Sequence, residues 1–300
     1  MLTKRTDLAL EGKELFEESA GSITQMDGVR AKEYERRGYH VTAIDVLDGR
    51  GSKAIGKPMG KYVTIDLSGE ESGEAFEQKA RCMAEELRKM LPCSLSEKPV
   101  LVAGLGNRSI TPDAIGPQAI EQILITRHLK ESLPEEFSIF SSVCAVAPGV
   151  LGTTGLESAE FVRGLVEKVK PSCLIVIDAL VSRRMQRLCR TVQLSDTGLV
   201  PGSGIGNHRK ALNEETLHLP VLSVGVPTVI DAATLAADLL EGSGVEDAES
   251  VLPSPLQSGV IVTTKEIDAQ VRELSKLVAY GINLALHRSL TVEDITAFLQ

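Results

Sequence analysis

Short apolar runs that end on glycine or aspartate, separated by segments of helical period, constrain this fold more than any other feature. PVLVAGLGN (99–107) and CLIVIDAL (173–180) carry no apolar–polar alternation, so they read as strands buried on both faces of a parallel sheet. FSSVCAVAP (140–148), TVQLSD (191–196) and PVLSVGVP (220–227) predict further strands. Helical patterns fill the gaps at 70–91, 114–130, 156–170 and 229–241, the first ending before Pro92 and the third stopped by Pro171. Strands and helices in alternation predict a three-layer α/β/α domain on a largely parallel sheet, of phosphorylase/hydrolase-like type.

The ends of the chain are less regular. Residues 8–36 are charged and predict a short helix or arm. YHVTAIDVL (39–47) and KYVTIDL (61–67) predict two strands of a small β-rich N-terminal insertion. The Gly-rich, basic DGRGSKAIGKPMG between them reads as a long exposed loop. After a Ser/Gly/Pro-containing connector (242–259), a helical stretch covers about 264–288. A second helix starts at Thr291, where TVED is a capping pattern. The expected organisation is one α/β domain over 8–300, with an appendage at about 39–67 and a helical extension from about 260.

Composition excludes several classes. A hydrophobic fraction of 43% supports a sizeable core, and with no Trp and 3% aromatics it must be built from Leu, Ile, Val and Ala. A net charge of −9 opposes non-specific nucleic-acid binding, which depends on Lys and Arg releasing counterions. The five cysteines include no CxxC pair, which points to reduced thiols and away from a disulfide framework or structural zinc. An apolar leader and an 18-residue apolar span are both missing, so the expectation is a cytoplasmic protein.

Open parallel sheets bind ligands beyond the carboxyl ends of their strands. GLGNRSITPDAIG, PGVLGTTG, Asp178 and DTGLVPGSGIGNHRK occupy those positions. The first turn is not a dinucleotide fingerprint, because Ser109 stands where the third glycine belongs; Walker A, GxSxG and HExxH motifs are also missing, and no cofactor or resident metal is expected. What remains is a pair of carboxylates. Asp178 ends an apolar run, where a charge is costly unless paired or used, although a strand-end Asp also serves as a turn cap. Asp113 in TPDAIG follows the preceding strand, although Asp is also a favoured helix N-cap. If the two strands are neighbours, both carboxylates reach one crevice. Two close carboxylates titrate apart, so one can take a proton from water while the other gives one to the scissile amide. Asn107, Thr111, Thr153 and His208, in the loops after the same strands, are candidate supporting groups. His40, His128, His218 and His287 read as structural or exposed, and Cys144 and Cys173 as small buried hydrophobes.

Several long segments resemble the germination protease family of spore-forming bacteria. They are RTDLALE, GLGNRSITPDAIGP, APGVLGTTGLES, LIVIDALVSRR and GLVPGSGIGNHRKALNEETLHLPVLSVGVPTVIDA. The resemblance covers most of the chain to about residue 240. It implies an atypical aspartic endopeptidase, unrelated in fold to pepsin, whose two essential aspartates match Asp113 and Asp178. It also implies small acid-soluble spore proteins as substrates, degraded at germination in the spore core, and a homotetramer. It further implies a zymogen that removes its own propeptide, here residues 1–7, by cutting between Asp7 and Leu8 in TDLALE, a segment similar to the substrate cleavage sequence. The hydrogenase maturation endopeptidases are a more distant likeness, sharing GxGN after a first strand, a carboxylate in the next loop and a later DA dipeptide. There an acidic pair and a His bind nickel in the substrate, which implies a metal role for Asp113, Asp178 and His208. A peptide- or metal-binding module without activity is the rival from another class.

Overall fold

The computed structural model describes residues 4–20, 26–69, 74–92, 98–200, 210–245 and 259–300. In chain order its strands are β1 (Val29–Arg36), β2 (Tyr39–Val46), β3 (Gly60–Asp66), β4 (Val100–Gly104), β5 (Val143–Val146), β6 (Cys173–Ser182), β7 (Thr191–Ser195), β8 (Val221–Asp231) and β9 (Ile261–Val262). All the described strands belong to one sheet, ordered β1-β2-β3-β7-β8-β6-β4-β5, with β9 paired to β8.

The buried runs form its parallel part, β8-β6-β4-β5. Their side chains alternate between two cores. Val100, Val102, Ile175, Ile177 and Val224 face Met83, Leu87, Ile115 and Leu277. Leu101, Ala103, Leu174, Val176 and Val221 face Ala159 and Val162. Each of these larger side chains contributes about 1.5–3 kcal/mol by leaving water, which is why both faces are covered by helices. The expected three-layer α/β/α arrangement is therefore present.

Chain direction decides where a crevice opens. From β4 the chain reaches β5 through the Ile115–Ile120 helix on the first face. It then returns past β4 to β6 through the Ser158–Val169 helix on the opposite face. β4 thus has neighbours reached over opposite faces, the switch point at which open α/β sheets bind ligands.

The remaining pairings, from β1 to β8 through β2, β3 and β7, are antiparallel, and β3–β7 joins the N-terminal strands to the central sheet. Three local expectations need correction. VRAKEYER is an edge strand, β1, and not part of an arm; its mostly exposed charges suit an edge that must not pair further. The 48–60 segment is not a long loop, because Gly49–Ile55 is helical, capped by the Asp48 carboxylate and closed by Gly56 at φ +67°. Burial of Ile55 overrides the weak propensity of its glycines. The helical period over 114–130 breaks into Ile115–Ile120 and Arg127–Ser132. The buried Asn283 side chain holds that break, accepting from Leu124 N at 2.9 Å and donating to the Gln122 carbonyl at 2.9 Å. The C-terminal helix Ile267–Leu286 packs against Ala75–Met90, and Thr291 caps Val292–Leu299 reciprocally with Asp294.

Candidate functional site

Asp178 lies one residue beyond Ile177, which is in register with Gly104 at the end of β4. Leu105 N donates to the Ile177 carbonyl at 2.8 Å. Asp178 is therefore at the limit of the β4–β6 pairing, although β6 itself continues to Ser182. Its side chain is 8% exposed, and its Oδ1 accepts from Ala179 N at 2.9 Å.

Asp113 closes the 3-10 turn Thr111–Asp113. It does not cap the following helix, whose N-cap is Ala114 without a side-chain bond. Its Oδ2 instead accepts from Asn107 N at 2.8 Å. This fold-back depends on Gly106, at φ +112°, where a Cβ would stand 2.0 Å from the Asp113 carbonyl oxygen. Thr228 in β8 donates to the Pro112 carbonyl at 2.7 Å, and the turn packs on β6 and β8. Asp113 thus lies beyond the carboxyl end of β4, whereas Asp178 sits within β6, at the point where its pairing with β4 stops.

Register carries the site further across the sheet. Asp178 pairs with Gly225, Gly225 with Gln193, Gln193 with Thr64 and Thr64 with Thr42. Paired residues present side chains to one face, so a polar row crosses five strands between two apolar clusters. At its far end the row enters a depression lined by residues that include Glu33, His40, Asp66 and Arg187.

The chain's own N-terminal segment lies over this row. Asp7 N donates to the Val181 carbonyl at 2.8 Å, and Val181 N donates to Asp7 Oδ2 at 2.8 Å. Gln193 Nε2 donates to the Asp7 carbonyl at 3.2 Å, while its Oε1 accepts from Ala9 N at 2.8 Å. The Leu8 side chain between them is fully buried. Lys57 Nζ donates to the Thr6 carbonyl at 2.9 Å; burial lowers the pKa of this ammonium, against the pull of Asp7 and Glu11. Glu11, fully buried, accepts from Thr6 Oγ1, Ser182 Oγ, Arg183 N, Arg184 N and Arg187 Nη1. Upstream, Lys4 pairs with Asp238 and Glu241.

The other sequence candidates divide. Asn107 supports Asp113 through its backbone, while its Oδ1 accepts from Ser109 N. Thr111 gives its carbonyl to Ala114 N in the turn that carries Asp113. Thr153 is exposed and spends its hydroxyl on the Val150 backbone past β5. His208 lies outside the described residues. Among the described residues no three His, Cys, Asp or Glu side chains are grouped to hold a metal ion, and no helix is long and apolar enough to cross a membrane. Gln193, Lys57 and Glu11 escaped the sequence reading. The only hint was Gln193 itself, polar between Val192 and Leu194 in a predicted strand.

A family model described as germination protease matches residues 9–242. The germination protease of Clostridium perfringens is 39% identical over 327 aligned positions, spanning 100% of both chains. That of Clostridium tetani is 40% identical over 99% of this chain and 100% of its own. That of Bacillus cereus is 33% identical over 98% and 96%. Among solved structures, the [NiFe] hydrogenase maturation protease HycI of Thermococcus kodakarensis aligns with 66% of this chain and 98% of its own, at 16% identity and a TM-score of 0.36.

Proposed function

The chain belongs to the germination protease family and is a peptidase of spore germination; from that premise we propose that it is an endopeptidase in which Asp113 and Asp178 activate water. The observation that carries the reading is their shared location where the β4–β6 pairing ends, Asp113 beyond β4 and Asp178 within β6. In this reading one carboxylate takes a proton from water as the water oxygen adds to the peptide carbonyl. The other gives a proton to the departing nitrogen. The roles belong to the pair, because neighbouring carboxylates titrate together.

The substrates in this proposal are small acid-soluble spore proteins, with activity in the spore core and a homotetrameric assembly, as family membership suggests. Residues 1–7 are a propeptide that the enzyme removes between Asp7 and Leu8. Support for that step comes from the course of Thr6–Leu8 past β6 into the helix Ala9–Ala20, with Asp7 bonded to Val181, three residues beyond Asp178.

The test is incubation of wild type, Asp113→Asn and Asp178→Asn with a small acid-soluble spore protein, with and without chelator, followed by N-terminal sequencing of every product. Each variant should lose about 100-fold or more in rate, chelator should change nothing, and the enzyme should acquire Leu8 as its first residue. Turnover at the wild-type rate by either variant would refute the carboxylate mechanism.

A further inference from the structure

The polar row contains one side chain that holds a peptide on both sides of a bond. We propose that Gln193 grips the substrate backbone across the bond to be cut, donating to the carbonyl before it and accepting from the second N–H after it. This rests on the carboxylate reading above, with the chain's own Asp7–Leu8 bond as the bound peptide.

Three observations support it. First, the two contacts are to backbone atoms two residues apart, the Asp7 carbonyl and the N–H of Ala9, the first residue of the helix Ala9–Ala20. A residue in a parallel ladder makes the same pair of bonds to its neighbour. A glutamine amide, with its own donor and acceptor, reproduces that pairing against the backbone on either side of Leu8. Second, Gln193 is 6% exposed and fixed within β7, so its amide is aimed by the sheet. Third, Gln193 and Asp178 are the two register partners of Gly225. At about 4.8 Å between strands, they are roughly 10 Å apart and face the same side. Gly225 adds no side chain between them, and Leu180 leans into that space. The Asp7–Leu8 peptide is thus bracketed by Gln193 while Asp7 is tied to β6 just past Asp178.

In the cut, the water oxygen joins the Asp7 carbonyl carbon, the bond to Leu8 N breaks, and a proton passes to that nitrogen. Gln193 Nε2 would meet the carbonyl oxygen as negative charge develops on it, and its Oε1 would keep the segment after the bond in line.

The experiment follows loss of residues 1–7 from the full-length chain by intact-mass spectrometry, in wild type, Gln193→Met, Gln193→Glu and Asp178→Asn. Melting temperatures are recorded alongside. Gln193→Met removes both bonds at similar size and should slow processing about tenfold or more. Gln193→Glu keeps the acceptor but, when ionised, lacks the donor. Its rate relative to wild type should be low at neutral pH and recover as its carboxyl protonates and regains an O–H. A donor to the carbonyl predicts that recovery, and this variant bears on the proposal should Gln193→Met fail to fold. Processing of Gln193→Met at or above the wild-type rate would reduce Gln193 to a structural latch and overturn the proposal. A pH-independent Glu variant, or a wild type that never processes, would overturn it too. Asp178→Asn at the wild-type rate, with Gln193→Met slow, would instead sink the carboxylate reading and leave the grip standing.

Discussion

His287 gives this protein a calculable weakness toward acid. The imidazole is 1% exposed at the end of the Ile267–Leu286 helix, edge-on to Phe140 at 5.5 Å between ring centroids. Among the described residues neither ring nitrogen has a hydrogen-bond partner. Burial lowers its pKa from 6.5 to about 4; the Leu124 backbone opposes this without a well-formed bond, and Lys130 reinforces it. The folded state therefore favours the neutral ring, whereas the unfolded chain protonates it near pH 6.5. Stability from this group is fully present above pH 6.5 and is lost as pH falls through about 4. A difference of about 2.5 units at 1.36 kcal/mol each is roughly 3 kcal/mol. That is a large share of a typical 5–15 kcal/mol. The perturbation is His287→Leu, which removes the proton site and two orphaned nitrogens. The assay is urea unfolding from pH 7.5 to 4 on both proteins, because the carboxylates common to both cancel in the difference. Wild type should lose about 3 kcal/mol more than the variant over that range, and the variant should be at least as stable at pH 7.5. Parallel stability curves would refute the argument, since they would mean the ring is charged, or solvated, in the native state.

Two further substitutions probe the site's supports. Glu11→Ala strands the buried donors of Ser182, Arg183, Arg184 and Arg187; it should cost about 3–5 kcal/mol in chemical denaturation. Gly106→Ala forces a Cβ into the Asp113 carbonyl at a φ of +112°. It should lower peptidase activity about 100-fold through displacement of Asp113 while circular dichroism stays unchanged.

Local signals were enough for much of the architecture. The apolar runs that became β4 and β6, the helices stopped at Pro92 and Pro171, and the Thr291 cap all rest on residues adjacent in the chain. So does the location of Asp113 just past β4, whereas Asp178, expected at a strand end, lies inside β6, which runs on to Ser182. Where the chain misled, burial had outweighed propensity: the glycines of Gly49–Ile55 looked like loop, and the charges of β1 disguised a strand whose exposure is set by its edge position. Asn283 splits a helical period 160 residues upstream, a contact that no window of sequence contains.

The same limit defines what belongs to the tertiary structure alone. From the sequence come two aspartates, each after an apolar run, and a TDLALE segment near the start. Only strand order makes β4 and β6 neighbours, and only register sets Asp178 and Gln193 on either side of Gly225. The seating of Leu8 over that row, with Glu11 locked beneath Arg183, Arg184 and Arg187, likewise joins residues more than 170 positions apart. Propensity and period act over a few residues, whereas pairing between distant strands is selected by the burial of whole faces, and that selection assembled the site.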